Sequence, residues 1–180
     1  LPLVAGGPRR LVHALLSRAQ KDAWALPEHA SLPPATTERW TRQWGPAMVG
    51  AAQAAWSGPP PIDLSFATEP DDADWAEALA LAPCHRRLPR GEAVEAMPGY
   101  GAGGWWVQDL AASLPARLLG TGNGRTVLDL CAAPGGKTMQ LAAAGWHVTA
   151  VDASARRLAR LDDNLKRTGL AAEVVQGDIR

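Results

Sequence analysis

The second half of the chain alternates short apolar runs with amphipathic segments. Apolar runs at 126–130, 148–151 and 173–176 have the length of buried β-strands. The segments between them, 136–144 and 155–167, have apolar residues at helical spacing. Strands that alternate with helices in this way predict an α/β fold with a doubly wound parallel sheet.

The helix predicted at 155–167 has the clearest boundaries. Leu158, Leu161 and Leu165 share one face, so this face is expected to pack on the sheet. Ser154 stands where a side chain caps a helix, and Gly169 stands where a left-handed residue ends one. A further helix, at 109–119, precedes the first strand.

The first half of the chain has a less regular pattern. It predicts an amphipathic helix at 9–25, a helix at 36–55 interrupted at Gly45-Pro46, a strand at 62–66, a helix at 71–82 and a basic loop at 86–90. Together these elements indicate a small α+β module. The arginines of the first helix are either a solvated face or contacts for RNA phosphates, and the pattern leaves both open.

Composition narrows the class of protein. The 180 residues include 18 basic and 18 acidic side chains, which excludes a uniformly basic surface but not a local basic face. Cys84 and Cys131 are the two cysteines, without CxxC spacing, so we expect no disulfide framework, no metal and a reducing cytoplasm. No apolar stretch is long enough to span a membrane, and we expect no membrane partner.

Tryptophan and arginine positions suggest further roles. Trp40 and Trp44 lie four residues apart and are interpreted as core residues. The pair Trp105-Trp106 is interpreted as core or wall packing, with stacking on a nucleobase as the alternative. The candidates for contacts with RNA phosphates are Arg86, Arg87 and Arg90.

The segment from Val127 to Thr138 follows the first predicted strand and enters a helix, which is where phosphates and nucleosides bind in this class of fold. A Walker A loop requires glycine at the position of Cys131, and a dinucleotide fingerprint requires glycines earlier than Gly135. The remaining alternative is the loop of class I methyltransferases, with small residues at alternate positions after Asp129. We prefer this third interpretation.

Two carboxylates follow the next two strands. Asp152 ends the second strand, where it can accept hydrogen bonds from ribose hydroxyls; a helix cap or turn is the alternative role. Asp178 follows the third strand, where it can meet an adenine amino group. Both positions agree with a bound nucleoside.

Several stretches resemble the RNA (cytosine-5) methyltransferases of the RsmB/Sun (NOL/NOP/Sun) family. Residues 129–138, read as DLCAAPGGKT, are similar to the first motif of that family nearly letter for letter, and 162–167, 98–100 and 107–109 resemble its flanking segments. The helix around 11–18 resembles the end of a NusB-like domain. The stretches 32–44 and 60–66 resemble an RNA-recognition-motif-like module.

The resemblance implies a domain order. We expect the end of a NusB-like helical domain at 1–26 and an RNA-binding-like module at 32–106. The front half of a Rossmann-like class I methyltransferase domain is expected at 107–180.

The resemblance also implies a cofactor, S-adenosyl-L-methionine. Its expected contacts are Cys131, Ala132, Ala133, Pro134, Gly135, Gly136, Lys137, Asp152 and Asp178.

The implied reaction forms 5-methylcytosine in RNA, with ribosomal RNA as the expected partner and a monomer as the expected state of the full-length protein. Family members activate cytosine with a cysteine thiolate, because an aromatic pyrimidine carbon is a poor nucleophile. We expect those cysteines beyond Arg180 and the chain to be a fragment, so neither Cys84 nor Cys131 is assigned as nucleophile. A methyltransferase for another substrate and a non-catalytic RNA-binding module remain alternatives.

Overall fold

The computed structural model describes residues 7–23, 31–58, 60–89 and 93–178. The chain divides into two compact units at Pro59 and Pro60, and each unit is described by itself. This division falls inside the module predicted at 32–106. It does not test the predicted domain boundaries, which stay a prediction.

The first unit contains three helices: α1 (Gly7–Lys21), α2 (Pro34–Trp44) and α3 (Pro46–Ser57). Gly45, at a φ of 84°, separates α2 from α3, and this confirms the predicted interruption. Trp40 packs edge-on against Trp44 at a centroid distance of 5.3 Å. Trp44 is 51% exposed, so its interpretation as a core residue is wrong: it covers one side of Trp40 on the surface.

The second unit begins with an antiparallel sheet in the order β2-β3-β1-β4. Its strands are β1 (Ile62–Phe66), β2 (Leu79–Ala82), β3 (His85–Leu88) and β4 (Trp105–Val107). A single-turn 3-10 helix, Val94–Ala96, precedes β4.

Two predictions for this region are wrong. Residues 71–82 were predicted as a helix, but they form turns followed by β2, and the loop predicted at 86–90 is largely β3. Arg86 donates to Glu69 at 2.6 Å and to Asp72, a residue of the predicted helix, at 2.8 Å. These contacts hold the segment in turns and Arg86 in a strand.

The remainder of the second unit contains a parallel sheet in the order β5-β6-β7. The strands are β5 (Thr126–Leu130), β6 (His147–Asp152) and β7 (Glu173–Gln176), and the helices are α4 (Leu110–Leu119), α5 (Gly136–Ala143) and α6 (Ala155–Thr168). The predicted alternation of strands and helices is confirmed. Ser154 caps α6 by accepting from the Arg157 N–H, and Gly169 ends α6 at a φ of 66°.

The parallel sheet is covered on one face by the leucine stripe of α6 and by α5. Leu161 and Ala150 are both fully buried in the main core cluster, and Met139 of α5 joins them. On the other face Leu128 is 64% exposed and Leu130 is 50% exposed. Among the described residues, β5 pairs with β6 alone, so it forms one edge of this sheet.

The tryptophan pair lies in the interior. Trp105 is 1% exposed and Trp106 is 2% exposed, which confirms their interpretation as core residues. The Trp106 indole N–H donates to Gln108, whose amide donates to Gln140 of α5. Arg167 of α6 donates to the carbonyl of Trp105 at 2.9 Å. These bonds join the antiparallel sheet to the helices of the parallel sheet.

The carboxylate of Asp63 on β1 forms several such connections at once. Its two oxygens accept from Arg87 Nε and Nη2 at 2.6 and 2.8 Å, and one also accepts from the N–H of Leu110, which begins α4. Burial alone raises the pKa of Asp63, but these hydrogen bonds and the positive charge of Arg87 bring it below its ordinary value. Asp63 therefore stays ionised and joins β1, β3 and α4.

We expect Asp63→Asn to lower the free energy of unfolding by about 2 kcal/mol at neutral pH, because Arg87 then loses a charged partner. Because the pKa of Asp63 is depressed in the folded state, its contribution is present above the ordinary value of 3.8 and is lost as the pH falls below it. Urea denaturation of the wild type and the variant at several pH values measures this difference in the free energy of unfolding.

The control is Glu95→Gln, on an exposed residue of the same unit. An equal loss of stability in both variants, or a difference between wild type and Asp63→Asn that does not shrink in acid, would contradict the assigned role.

Candidate functional site

The segment between β5 and α5 is a tight loop over the carboxyl edge of the parallel sheet. It begins at Cys131, with a φ of 63°, and ends at Gly135, with a φ of 109°. The Ala132 N–H donates to the carbonyl of Val151 on β6 at 3.0 Å, and the Gly135 N–H donates to the Ala132 carbonyl at 2.9 Å. The loop is therefore attached to the neighbouring strand and closed on itself.

A cavity of about 350 Å³ lies beside this loop. Its lining combines the loop with the end of β5 and the connection from β4 to α4. Six of the predicted cofactor residues line it: Cys131, Ala132, Ala133, Pro134, Gly136 and Lys137. The seventh loop residue, Gly135, is buried and faces α6, where an added Cβ would overlap the Cδ1 methyl of Leu161.

The end of β5 is bonded to the first turn of α5. Asp129 is 8% exposed and accepts from the Thr138 hydroxyl at 2.6 Å. No side chain caps the start of α5 at Gly135. The first N–H groups of a helix have no partner within the helix, so this end of α5 can bind a carboxylate or another anion.

Asp152 lies below the loop at the end of β6 and is 4% exposed. One oxygen accepts from the Ala133 N–H at 3.2 Å, and the other accepts from the Ser154 N–H at 2.9 Å. The turn contact with Ser154 is the alternative role considered from the sequence, and it coexists with the contact to the loop.

Arg157 is a residue of this site that the sequence interpretation missed. Its Nη1 lies 3.3 Å from Asp152 Oδ2, and its Nη2 donates to the Ala133 carbonyl. A signal was present, because Arg157 is three residues after the cap Ser154 and helical side chains lean towards the helix start. Gln108 was missed as well; it lines the cavity and bonds to Gln140.

Asp178 follows β7 and is exposed. The neighbouring Gly177 donates to the Asp152 carbonyl at 3.2 Å. Parallel strands end at one edge of a sheet, so the loop, Asp152 and Asp178 lie along the same edge. Neither carboxylate is among the residues that line the 350 Å³ cavity.

Two of the three arginines predicted to contact RNA, Arg86 and Arg87, are paired with carboxylates. The Arg86 side chain is 4% exposed and bonds to Glu69 and Asp72, and Arg87 is paired with Asp63. Arg90 lies outside the described residues. Contact of these arginines with RNA stays a prediction.

The cysteines have different surroundings. Cys84 is half-buried, and burial raises the pKa of its thiol, with Glu69 adding to the effect. A thiol that stays protonated is a poor nucleophile. Cys131 is exposed and forms part of the cavity wall.

Within the described ranges, no group of three or more His, Cys, Asp or Glu side chains is placed to hold a metal ion. In the same ranges, no helix is both long and apolar enough to cross a membrane.

Residues 116–180 match the family described as 16S rRNA methyltransferase RsmB/F. The chain is 44% identical over 115 residues to the ribosomal RNA small subunit methyltransferase B of Klebsiella pneumoniae. It is 51% identical over 87 residues to the protein of the same name from Sodalis glossinidius. Over residues 116–180 the chain is therefore similar to the RsmB/F methyltransferases. The family expected from the sequence is thereby confirmed.

The aligned regions are partial. The alignment with the Klebsiella protein covers 63% of this chain and 24% of that protein. The alignment with the Sodalis protein covers 47% of this chain and 20% of that protein. The chain thus spans about a quarter of the length of these curated relatives of the RsmB/F family.

Solved structures support the fold. A methyltransferase homolog protein from Pyrococcus horikoshii has a TM-score of 0.65 at 21% identity and covers 91% of this chain and 55% of its own. A second solved structure has a TM-score of 0.66 at 19% identity, and the match covers 92% of this chain and 43% of that structure's chain. At this identity the likeness concerns the fold, which is the expected Rossmann-like methyltransferase α/β fold.

We expect Gly135→Ala to lower the free energy of unfolding by about 2 kcal/mol or more, because the new methyl group meets Leu161 and the backbone lies in the left-handed region. Thermal and urea denaturation measure the loss. Gly101→Ala is the matched control, since nothing lies within 4 Å of its added Cβ.

Gly101→Ala should change stability by less than about 0.5 kcal/mol. If Gly135→Ala were as stable as this control, the result would contradict the close packing of Gly135 against Leu161 of α6.

Proposed function

We propose that this chain is the cofactor-binding part of an S-adenosyl-L-methionine-dependent methyltransferase that forms 5-methylcytosine in RNA, with ribosomal RNA as the substrate. The observation that carries the proposal is the buried carboxylate of Asp152, bonded to the loop through the Ala133 N–H at 3.2 Å. This pair lies inside the segment that matches the RsmB/F family.

The residues present fit the parts of that cofactor. Its amino-acid carboxylate suits the uncapped start of α5 at Gly136 and the small residues of the loop. Its ribose hydroxyls are donors, and Asp152 is a buried acceptor at the end of β6. Its adenine amino group is also a donor, and Asp178 is an acceptor at the end of β7.

Asp152 can accept from ribose hydroxyls in addition to its present partners. A carboxylate offers about four acceptor positions. Two N–H groups, those of Ala133 and Ser154, use two of them, and the guanidinium of Arg157 forms an ion pair with Oδ2 at 3.3 Å. The Arg157 side chain is 53% exposed, so it is the partner that can turn away at the smallest cost.

The cofactor supplies an electrophilic methyl group on its sulfonium. The cysteine chemistry that activates cytosine belongs to residues other than Cys84 and Cys131. Cys84 has a raised thiol pKa, and Cys131 is the first residue of the loop on which the cofactor would lie. In this proposal the chain binds and orients the cofactor, and the full-length protein is a cytoplasmic monomer.

We expect Asp152→Asn to weaken binding of S-adenosylhomocysteine about tenfold, because a neutral amide accepts more weakly than a carboxylate and also presents a donor to the sugar. Calorimetric titration measures the dissociation constant. Asp163→Asn, on an exposed residue of α6, is the control and should bind as the wild type does.

Equal affinity of the wild type and Asp152→Asn would contradict the assigned role of Asp152. Heat with a nucleoside triphosphate or a dinucleotide, and none with S-adenosylhomocysteine, would contradict the proposed cofactor. The base specificity is tested separately, by transfer of a tritiated methyl group to RNA by the natural-length protein. Label in any nucleoside other than 5-methylcytidine would contradict it.

A further inference from the structure

The antiparallel sheet carries an aromatic cavity that the proposed reaction does not use. It has a volume of about 510 Å³, and three aromatic side chains form its walls: Phe66, Trp75 and Trp105. Phe66 and Trp75 meet at 78° with centroids 5.2 Å apart, and Trp75 and Trp105 meet at 88° with centroids 6.2 Å apart. Successive rings are nearly perpendicular, so they form an aromatic box.

The walls of the aromatic box are held in place. Trp105 is 1% exposed, and its indole N–H donates to the Pro98 carbonyl at 2.9 Å. Phe66 is 7% exposed and is the last residue of β1. Trp75 is half-buried in the turns before β2, where the Ala78 N–H donates to its carbonyl at 2.8 Å. The box is therefore part of the fold.

Two carboxylates, Asp71 and Asp74, also line the cavity, and both are exposed. Asp71 accepts from the Ala73 N–H at 2.9 Å, which holds it within the turn that carries Trp75. In the described part of the chain, no ion pair within 4.0 Å involves Asp71 or Asp74.

The surroundings of the cavity are acidic as well. Residues 69–77 contain five acidic side chains and no basic one. Arg86 compensates two of them, Glu69 and Asp72, and it is itself buried. The charge that remains at the cavity is negative, and it would repel the phosphates of RNA.

We propose that the aromatic box binds a lysine or arginine side chain from a basic segment of a partner protein. The face of an aromatic ring attracts a cation, tryptophan most strongly, and Trp75 is the ring of the box that is only half-buried, with Phe66 and Trp105 packed behind it. Asp71 and Asp74 supply the opposite charge at the same cavity. The site uses none of the loop residues between β5 and α5, so it is independent of the proposed cofactor.

The first test compares charged and neutral peptides of one sequence. The probe is an eight-residue peptide with arginine and lysine in alternation with glycine; its partner carries citrulline and norleucine in their place. We expect the cationic peptide to quench tryptophan fluorescence and to bind at least about tenfold more tightly than the neutral one. Equal binding of the two peptides would overturn the proposal.

The second test removes the carboxylates while the rings stay. Asp71→Asn/Asp74→Asn should weaken binding of the cationic peptide about tenfold. The amide oxygen that Asp71→Asn introduces can still accept from the Ala73 N–H, so the turn is kept. The control Glu77→Gln/Glu95→Gln removes two negative charges at residues that do not line the cavity. An equal loss in the control would indicate unspecific attraction and would overturn the proposal.

The third test removes a ring. Trp75→Leu keeps an apolar side chain and should also weaken binding of the cationic peptide about tenfold. Circular dichroism checks that this variant has the wild-type fold. If that variant unfolds, Trp75→Phe replaces it, with a smaller expected loss because phenylalanine binds cations less strongly.

A short single-stranded RNA is titrated in parallel. RNA binding that Trp75→Leu abolishes and Asp71→Asn/Asp74→Asn strengthens would identify a nucleobase pocket and overturn the proposal.

Discussion

The site depends on the close approach of the loop between β5 and α5 to helix α6. Gly135 lies against Leu161, a contact that excludes any larger residue at 135 while the backbone keeps a φ of 109°. Leu161 is also packed in the core with Ala150 of β6. The same hydrophobic contact therefore holds α6 on the sheet and sets the height of the loop above Asp152. Close-packed interiors transmit such constraints, so the geometry of the polar groups follows from an apolar contact.

A second constraint joins the two sheets of the Pro60–Arg180 unit through buried polar groups. Asp63 binds Arg87 on β3 and the first N–H of α4, and Gln108 links Trp106 to Gln140 of α5. Apolar packing alone would tolerate several relative positions of the sheets. A buried hydrogen bond tolerates few, because an unpaired polar group in the interior costs free energy. The antiparallel sheet is thus held in a defined position beside the cavity that the loop forms.

Charge is separated along this chain although the formal total is zero. Arg87 pairs with the buried Asp63 of β1, Arg86 pairs with the exposed Glu69 and Asp72 before β2, and Arg157 lies over Asp152. Asp71 and Asp74 remain at the aromatic box. Arg86 and Arg87, which the sequence placed in a basic loop, therefore serve as partners of carboxylates in this unit. The acidic surface that they leave behind favours a cationic ligand over a nucleic acid at that place.

The parallel sheet, its helices and the small-residue loop were predictable from the sequence, because they rest on local patterns: apolar runs, the cap Ser154 and the stop Gly169. The most specific part of the family resemblance, residues 129–138, lies in the same local stretch. The antiparallel sheet was not predictable, since Arg86 binds carboxylates 14 and 17 residues away, and the local pattern at 71–82 favoured a helix instead. The role of Arg157 likewise required the loop to fold back over β6. Local propensity determines elements whose contacts are near in sequence, whereas paired charges that are distant in sequence are brought together by the tertiary structure alone.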